Sequence, residues 1–281
     1  MFIALNNNGD RIPADKAIKE QTYFCPLCGG TAKLKKGQVY AAHFAHETLE
    51  ECDTFTADMS EWHRKWQEFF SVKNREVPLT LKIDELEYFT EAQKYGFLDP
   101  QWDGIENQST WCTKLLSLET LKKEGKLKQY ELKHRADVLA CGYVVEFQHS
   151  PISSREFNER NWFYKKKGYN VIWIFDFTEH YYKKRITTNR QCLYSWKWPS
   201  RIMKNVIPQE ELQKEKRIIL FFQLFDFMKT KNNQYLRKIV WAPDGCDDNG
   251  EHVSSYHRFW IDSNGPKNAY ELIKAIKQKA L

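Results

Sequence analysis

A short hairpin constrains what this chain can fold into more than any other stretch. Residues 132–140 and 143–148 are rich in strand-forming side chains, and the Cys-Gly pair between them fits a two-residue hairpin loop. If that pair forms the loop, counting outward from it places Asp137 opposite Glu146. Because side chains alternate along a strand, we expect both carboxylates on one face of the hairpin.

The two acids of this hairpin are badly placed for stability. Carboxylates directly across a ladder lie about 5 Å apart, and like charges there destabilise the pairing. A hard cation removes that repulsion, since Mg²⁺ binds carboxylate oxygens at about 2.1 Å. The pattern therefore predicts that Asp137 and Glu146 hold a divalent metal, with Arg135 and Gln148 on the same face. The alternatives are a frayed hairpin with both acids in water, or an odd-length loop that changes the register.

The segment after the hairpin is predicted to be a capped helix followed by a buried strand. Ser153 and Glu156 have the spacing of a capping box, and the helix should run to about Lys167, where Gly168 ends it. Residues 169–177 are almost wholly apolar, which is typical of a central strand buried on both faces. The order hairpin, helix, strand indicates a mixed α/β core.

Residues 1–57 contain a separate cluster of metal-binding side chains. A Cys-x-x-Cys knuckle is followed, after a stretch long enough for a hairpin, by two histidines and a further cysteine. A structural zinc ion needs four nitrogen or sulfur ligands. The alternative is a pair of buried cysteines with histidines on the surface. The predicted zinc ligands are Cys25, Cys28 and His43, with His46 or Cys52 as the fourth.

A second capping box, Asp58 with Glu61, predicts a helix that leads from this region into the core. Trp62 and Trp66 start an apolar stripe at helical spacing, which we expect to pack against the sheet. Glu61 and Lys65 lie on the opposite face, where an i,i+4 salt bridge contributes about 0.3–0.5 kcal/mol.

Taken together, these motifs resemble the nuclease domain of the competence protein CoiA-like family, a branch of the PD-(D/E)XK superfamily. The Cys-x-x-Cys and His-Phe-x-His motifs likewise resemble the amino-terminal zinc-binding region of that family. The resemblance implies an α/β fold with a restriction-endonuclease-like αβββαβ core, in which helices flank a mixed sheet. The residues that carry the nuclease resemblance are Arg135, Asp137, Glu146, Gln148, Ser150, Arg160 and Tyr164.

The resemblance also implies a role for each site residue. Asp137 and Glu146 would bind Mg²⁺ or Mn²⁺, and Gln148 stands where the parent signature has a lysine. Glutamine can orient water or phosphate, but it carries no charge and is a poor acid or base. The family motif Ser-Glu-x-His would place Glu61 or His63 beside the metal. The expected phosphate-binding side chains are Arg135, Arg155 and Arg160, while Lys165 or one of the two lysines after it would replace the missing charge.

Length and composition divide the chain of 281 residues into three regions. We predict a zinc-binding module at 1–57, a nuclease core at 58–180 with an insertion at about 75–129, and a mixed C-terminal extension of unassigned role at 181–281. The net charge of +6 is compatible with nucleic-acid binding without requiring it. We find no secretory signal and no apolar stretch near the roughly 18 residues of a membrane span. With an odd number of cysteines, seven, we expect a reducing cytoplasm.

The function that we expect is a Mg²⁺- or Mn²⁺-dependent deoxyribonuclease in competence, recombination or defence, with zinc stabilising its first module. The alternative is a zinc-containing DNA-binding protein that keeps the nuclease-like fold but has lost turnover, which the glutamine at 148 favours. A third hypothesis is a structural partner of a recombination or defence complex, in which the hairpin holds no metal. Protein partners and an oligomer are compatible with each hypothesis, and a membrane partner is not expected.

Overall fold

The chain folds into a mixed α/β structure with two sheets, as a computed structural model shows. The described part contains six α-helices, and none of these is long and apolar enough to cross a membrane. The structure describes residues 1–37, 41–46, 60–98, 108–150, 152–183, 186–188, 193–196, 218–227, 234–241, 257–262 and 264–281.

The first sheet is built from the amino-terminal residues. Its strands are β1 (Ile3–Leu5), β2 (Arg11–Pro13), β3 (Tyr23–Phe24), β4 (Thr31–Lys35) and β5 (His43–His46). They lie in the order β2-β1-β3-β4-β5. The rings of Tyr23 and Phe44, 4.9 Å apart, lie at the centre of a small core. A unit of this size buries little apolar surface, so it needs a further source of stability.

The second sheet holds the rest of the described strands. They are β6 (Arg75–Asp84), β7 (Gln129–Ala140), β8 (Tyr143–Gln148), β9 (Asn170–Asp176), β10 (Ile186–Thr188), β11 (Leu193–Trp196), β12 (Ile218–Gln223), β13 (Leu236–Trp241) and β14 (His257–Asp262). Their order is β10-β11-β14-β13-β12-β9-β8-β7-β6. The neighbours of β9, namely β8 and β12, run parallel to it, and the other pairs are antiparallel.

Helices cover both faces of the second sheet. They are α1 (Glu61–Glu68), α2 (Glu85–Lys94), α3 (Gln108–Lys123), α4 (Ser154–Lys166), α5 (Thr178–Tyr182) and α6 (Ala269–Gln278), and a 3-10 turn spans Val72–Asn74. On one face, Phe163 of α4 shares a core cluster with Trp173 of β9. On the other face, Trp66 of α1 and Leu272 of α6 share a cluster with Ile172. Fully burying one such large apolar side chain contributes about 1.5–3 kcal/mol.

The central hairpin has the predicted register. Ala140 pairs with Tyr143, and the pairing continues for two further positions. Cys141 and Gly142 therefore form the two-residue loop, with φ angles of 52° and 86°. Both angles are left-handed, as the favoured hairpin turn requires at its two central positions. The prediction is confirmed even though cysteine is an unusual first residue for this turn.

The predicted helix and strand after the hairpin are also confirmed. The Ser153 side chain caps α4 by accepting the N–H of Glu156. The helix ends at Lys166, and Gly168 follows with a φ of 86° that an L side chain rarely adopts. The strand β9 is buried along its middle five residues, because it has a neighbouring strand on each side and helices over both faces.

The regions expected to be an insertion and an extension both contribute to the second sheet. The strand β6, near the start of the predicted insertion, is its edge strand beside β7. At the other end of the chain, β12 pairs with β9, and β13, β14, β11 and β10 continue the sheet outward. The described strands after residue 181 therefore complete the same sheet that bears the hairpin.

One buried acid fastens the first sheet to the second. Glu76 of β6 is wholly buried and has a φ of 47°, in the left-handed region. Its carboxylate accepts the N–H groups of Phe2 at 2.5 Å and Ile3 at 3.3 Å. Arg11 of β2 donates to the backbone carbonyls of Arg75 and Glu76. The edge of the second sheet is thus hydrogen-bonded directly to the amino-terminal strands.

Candidate active site

Backbone pairing between β7 and β8 ends just before the two acids, and hydrogen bonds to their carboxylates replace it. Its last backbone pair before them is Val138 with Val145. Beyond that pair, the Glu146 carboxylate accepts the N–H of Asp137 at 3.3 Å, and the Asp137 carboxylate accepts the N–H of Phe147 at 2.9 Å. Each carboxylate therefore reaches across to the opposite strand, and the two acids lie side by side.

The helix α4 supplies the remaining partners of Glu146, which is almost wholly buried. The Tyr164 hydroxyl donates to its Oε1 atom at 2.9 Å, and Arg160 donates to its Oε2 atom at 2.7 Å. The other end of the Arg160 guanidinium donates to Glu156, also at 2.7 Å. Arg160 and Tyr164 are four residues apart, so they lie on the same face of the helix. One arginine thus balances a buried carboxylate and holds it in position.

The acid pair is costly to ionise. The pKa of Glu146 is raised to about 7, first by burial and then by the Asp137 carboxylate, against the lowering effect of Arg160. Burial also raises the pKa of Asp137 to about 6, opposed by the N–H of Phe147 and by the charges of Arg160 and Arg135. Two adjacent carboxylates that resist ionisation together are a suitable donor set for a hard divalent cation. The residues therefore fit Mg²⁺ or Mn²⁺.

Strand alternation is interrupted at Asp137, and this separates Arg135 from the acids. Ala136 packs on the α4 face of the sheet, whereas Val138 packs on the α1 face. Residues two apart on a strand normally share a face, so the alternation of side chains shifts by one residue between Ala136 and Val138. Arg135 consequently does not share the face of the acids, contrary to the expectation from the sequence. Its Nε atom lies 3.9 Å from Oε2 of Glu76, although its charge still acts on Asp137.

The other predicted phosphate-binding residues are spread along α4. Arg160 is in contact with the acid pair. Arg155 is exposed, and its Nε atom donates to the carbonyl of Phe97 at 3.2 Å. The Lys165 ammonium lies 5.3 Å from the centre of the Tyr95 ring. Of these three side chains, Arg160 is the one whose described contact is with Glu146.

Gln148 lies on β8 two residues beyond Glu146, and the alternation of β8 places both on the α4 face. It is largely buried, and its amide donates to the carbonyl of Ser150 at 2.6 Å. This contact turns the side chain toward the segment that follows the strand.

The two candidates on α1 have different surroundings. Glu61 is exposed and lies 3.3 Å from Lys65, which is the i,i+4 salt bridge expected of a solvated helix face. His63 is buried and hydrogen-bonds to the backbone of Phe147, and burial lowers its pKa to about 4. The structure thus places His63, and not Glu61, against the strand that bears Glu146.

A second cluster of donors lies in the first sheet. Three possible ligand atoms lie within 4.8 Å of one another: the sulfurs of Cys25 and Cys28 and a ring nitrogen of His46. The N–H of Leu27 donates to the Cys25 sulfur at 3.4 Å, and the N–H of Gly30 donates to the Cys28 sulfur at 3.3 Å. Two sulfurs and an imidazole form a donor set that fits Zn²⁺.

The structure favours His46 over His43 as the histidine of this cluster. The two residues are three apart on β5, so their side chains point to opposite faces of the strand. The His43 ring instead makes a 2.9 Å contact with the carbonyl of Ala41. The pKa of His46 is lowered by burial and by the Arg135 charge, which favours the neutral form that binds metals. The other predicted ligand, Cys52, lies outside the described residues.

Sequence reasoning missed Glu76. A glutamate between an arginine and a valine looks like an ordinary surface charge, and its spacing carries no sign of burial. Its partners, Phe2 and Ile3, are more than seventy residues away. Only the packing of the two sheets identifies it.

Comparison with known protein families gives two matches to this chain. The family model for the competence protein CoiA, N-terminal domain, matches residues 7–55, and the model for the CoiA nuclease-like domain matches residues 117–240. The first region contains the cysteine cluster, and the second contains the acid pair. Searches of the curated proteins and of the solved structures found no match.

Proposed function

The chain belongs to the CoiA family of competence proteins, and on that basis we propose that it is a divalent-metal-dependent nuclease that hydrolyses phosphodiester bonds in DNA. The observation that carries this proposal is the pair of adjacent carboxylates, the half-buried Asp137 and the buried Glu146, within the nuclease-like region. The element order supports it, because α1, β6, β7, β8, α4 and β9 follow the αβββαβ order, with α2 and α3 inserted after β6.

Asp137 and Glu146 would hold Mg²⁺ or Mn²⁺ in this proposal. When bound, the cation would supply Lewis-acid stabilisation of the charge that develops on the phosphate. Arg160 and Tyr164 keep Glu146 fixed through its two oxygens. Gln148 would orient water or a phosphate oxygen, and the rest of the phosphate contacts would come from side chains at this end of the sheet.

The amino-terminal cluster would hold a structural Zn²⁺. Cys25, Cys28 and His46 would be three of the ligands, with Cys52 as the fourth. In this proposal the module spans 1–57, the nuclease core 58–180, and the C-terminal extension 181–281. The zinc would stabilise a sheet whose own core is small, and it would not take part in cleavage.

One observation favours a second candidate function, a DNA-binding protein with a nuclease-like fold and no turnover. Gln148 replaces the lysine of the parent signature, and its amide is already engaged with Ser150. Such a protein would bind DNA in a strongly salt-dependent manner. It would not cleave DNA in the presence of either Mg²⁺ or Mn²⁺.

Cleavage of plasmid and linear DNA with Mg²⁺ or Mn²⁺ tests the proposal. We expect Asp137→Asn and Glu146→Gln to lower the rate at least about 10²-fold, since each removes charge from the metal site. Glu131→Gln is the matched control, because Glu131 lies on the same strand but is exposed and pairs with Lys133. Equal cleavage by the wild type and both acid variants would indicate a contaminating enzyme and would refute the proposal. Salt-sensitive binding without cleavage would establish the second candidate instead.

A further inference from the structure

Backbone pairing between β7 and β8 stops at Val138 and Val145, so the polar backbone groups beyond that pair need other partners. The two acids bind two of the N–H groups, because Glu146 accepts the N–H of Asp137 and Asp137 accepts the N–H of Phe147. A carbonyl oxygen gains nothing from an ionised carboxylate, since both groups only accept hydrogen bonds. The carbonyls at this interruption therefore need donors from outside the hairpin.

The helix α1 supplies such donors. The Nε2 atom of Gln67 donates to the backbone carbonyl of Asp137 at 3.4 Å. The opposite orientation of the amide would set two oxygens against each other, so the nitrogen is the atom that faces the carbonyl. His63, four residues earlier and on the same face of the helix, hydrogen-bonds to the backbone of Phe147. The helix thus contacts both strands at the point where their pairing stops.

A glutamine is an unfavourable residue at position 67 if packing is its only role. Gln67 is 1% exposed, and its Oε1 atom is buried with no hydrogen-bond partner among the residues that the structure describes. An unpaired buried acceptor destabilises the folded state, and a leucine would fill much of the same space without one. Its neighbour Trp66 is wholly buried in an apolar cluster. The hydrogen bond to Asp137 is what a leucine would lose.

We propose that Gln67 is a positioning residue for the acid pair, an inference that rests on the metal-dependent function proposed above. By holding the carbonyl of Asp137, Gln67 fixes the backbone from which that carboxylate projects, at the interruption that brings Asp137 beside Glu146. Gln67 acts through Asp137 and is not itself a metal ligand. Replacing a side chain that orients a metal ligand typically weakens metal binding about 10- to 100-fold.

Calorimetric titration of Mn²⁺ into the full-length Gln67→Leu variant tests the inference. We expect the Kd for Mn²⁺ to rise about 10-fold or more. The urea midpoint should stay at or above that of the wild type, because the unpaired acceptor is gone. Lys65→Leu is the matched control, since Lys65 is exposed on the same helix and pairs with Glu61, and its Kd should equal that of the wild type. A Kd for Gln67→Leu within about twofold of the wild type would overturn the inference.

Hydrogen exchange of the metal-free protein gives a readout that does not depend on the cation. The Asp137 carboxylate protects the N–H of Phe147, so this amide should exchange about 10-fold faster in Gln67→Leu. The N–H of Val145, on the paired side of the interruption, should exchange at the wild-type rate. Equal acceleration at both amides would indicate a general loosening of the hairpin, which is a merely structural role. That result, or unchanged exchange at Phe147, would overturn the positioning role.

The outcomes also separate this inference from the nuclease proposal. If the wild type binds Mn²⁺ and cleaves DNA while Gln67→Leu keeps the wild-type Kd and the wild-type exchange at Phe147, the nuclease proposal stands and the positioning role is refuted. If the wild type neither binds Mn²⁺ nor cleaves DNA in the presence of either metal, the nuclease proposal is refuted. Exchange at Phe147 then decides by itself whether Gln67 holds Asp137 in place.

Discussion

The carboxylate of Glu76 accepts the backbone N–H of Phe2 at 2.5 Å, across 74 residues of sequence, and this hydrogen bond joins the two sheets. Glu76→Ala removes that acceptor, and it also removes the carboxylate that lies 3.9 Å from Arg135. We expect the free energy of unfolding to fall by about 3 kcal/mol. Urea denaturation measures the change, with the exposed Glu131→Ala expected to stay within about 0.5 kcal/mol of the wild type. A loss below about 1 kcal/mol for Glu76→Ala would show that this contact does not fasten the sheets.

The affinity for Mn²⁺ should rise with pH. The pKa of Asp137 is raised to about 6 and that of Glu146 to about 7, so the metal-free pair still holds protons near neutral pH. A cation must displace those protons to bind. Calorimetric titrations at pH 6 and pH 8 should therefore show tighter binding at pH 8, with proton release measurable in buffers of different ionisation enthalpy. An affinity that is independent of pH over this range would contradict the paired-carboxylate site.

Removal of the proposed zinc ion should unfold the first sheet and leave the second intact. The sheet formed by β1 to β5 has a small core, and Cys25, Cys28 and His46 cluster in the part of the chain that spans β3 to β5. We expect Cys28→Ser, or a chelator, to lower the metal content and to abolish hydrogen-exchange protection in β3 to β5. Cys112→Ser is the control, because Cys112 is an exposed cysteine on α3. Full protection in a zinc-free sample would exclude a structural zinc.

The buried histidine of α1 should make the protein less stable in acid. Burial lowers the pKa of His63 from its ordinary value of 6.5 to about 4. Between these values the unfolded chain binds a proton that the folded chain does not. The contribution of the neutral His63 to the free energy of unfolding is therefore present above pH 6.5 and is lost as the pH falls toward 4. The loss is on the order of 3 kcal/mol at most. His63→Gln should lack this slope when denaturation curves at pH 7 and pH 4.5 are compared, and an unchanged slope would refute the assignment.

The hairpin could be predicted from sequence because its signals are local. The two-residue loop and the alternating apolar positions fix the register, and that register alone brings Asp137 beside Glu146. The helix α4 could be predicted for the same reason, since Ser153 and Gly168 mark its two ends. In such segments the nearest neighbours in sequence determine the structure.

The errors arise where distant packing overrides a local rule. Arg135 was expected beside the acids, but β7 turns over at Asp137, and nothing in the sequence marks that interruption. Spacing alone names His43 before His46, whereas the cluster of described donors contains His46, which the alternation of β5 puts on the opposite face from His43. The first sheet also depends on Glu76, whose partners are remote in sequence.

The position of β12 has a consequence for how the chain is made. A ribosome finishes β9 at Asp176, but the strand that covers its open edge begins only at Ile218. During that interval the nascent protein already contains the acid pair and exposes an apolar strand edge. Such an edge promotes aggregation. A gene fragment that stops soon after the signature residues would keep that edge permanently open. Pairing with β12 therefore covers the open edge of the segment that follows the acids.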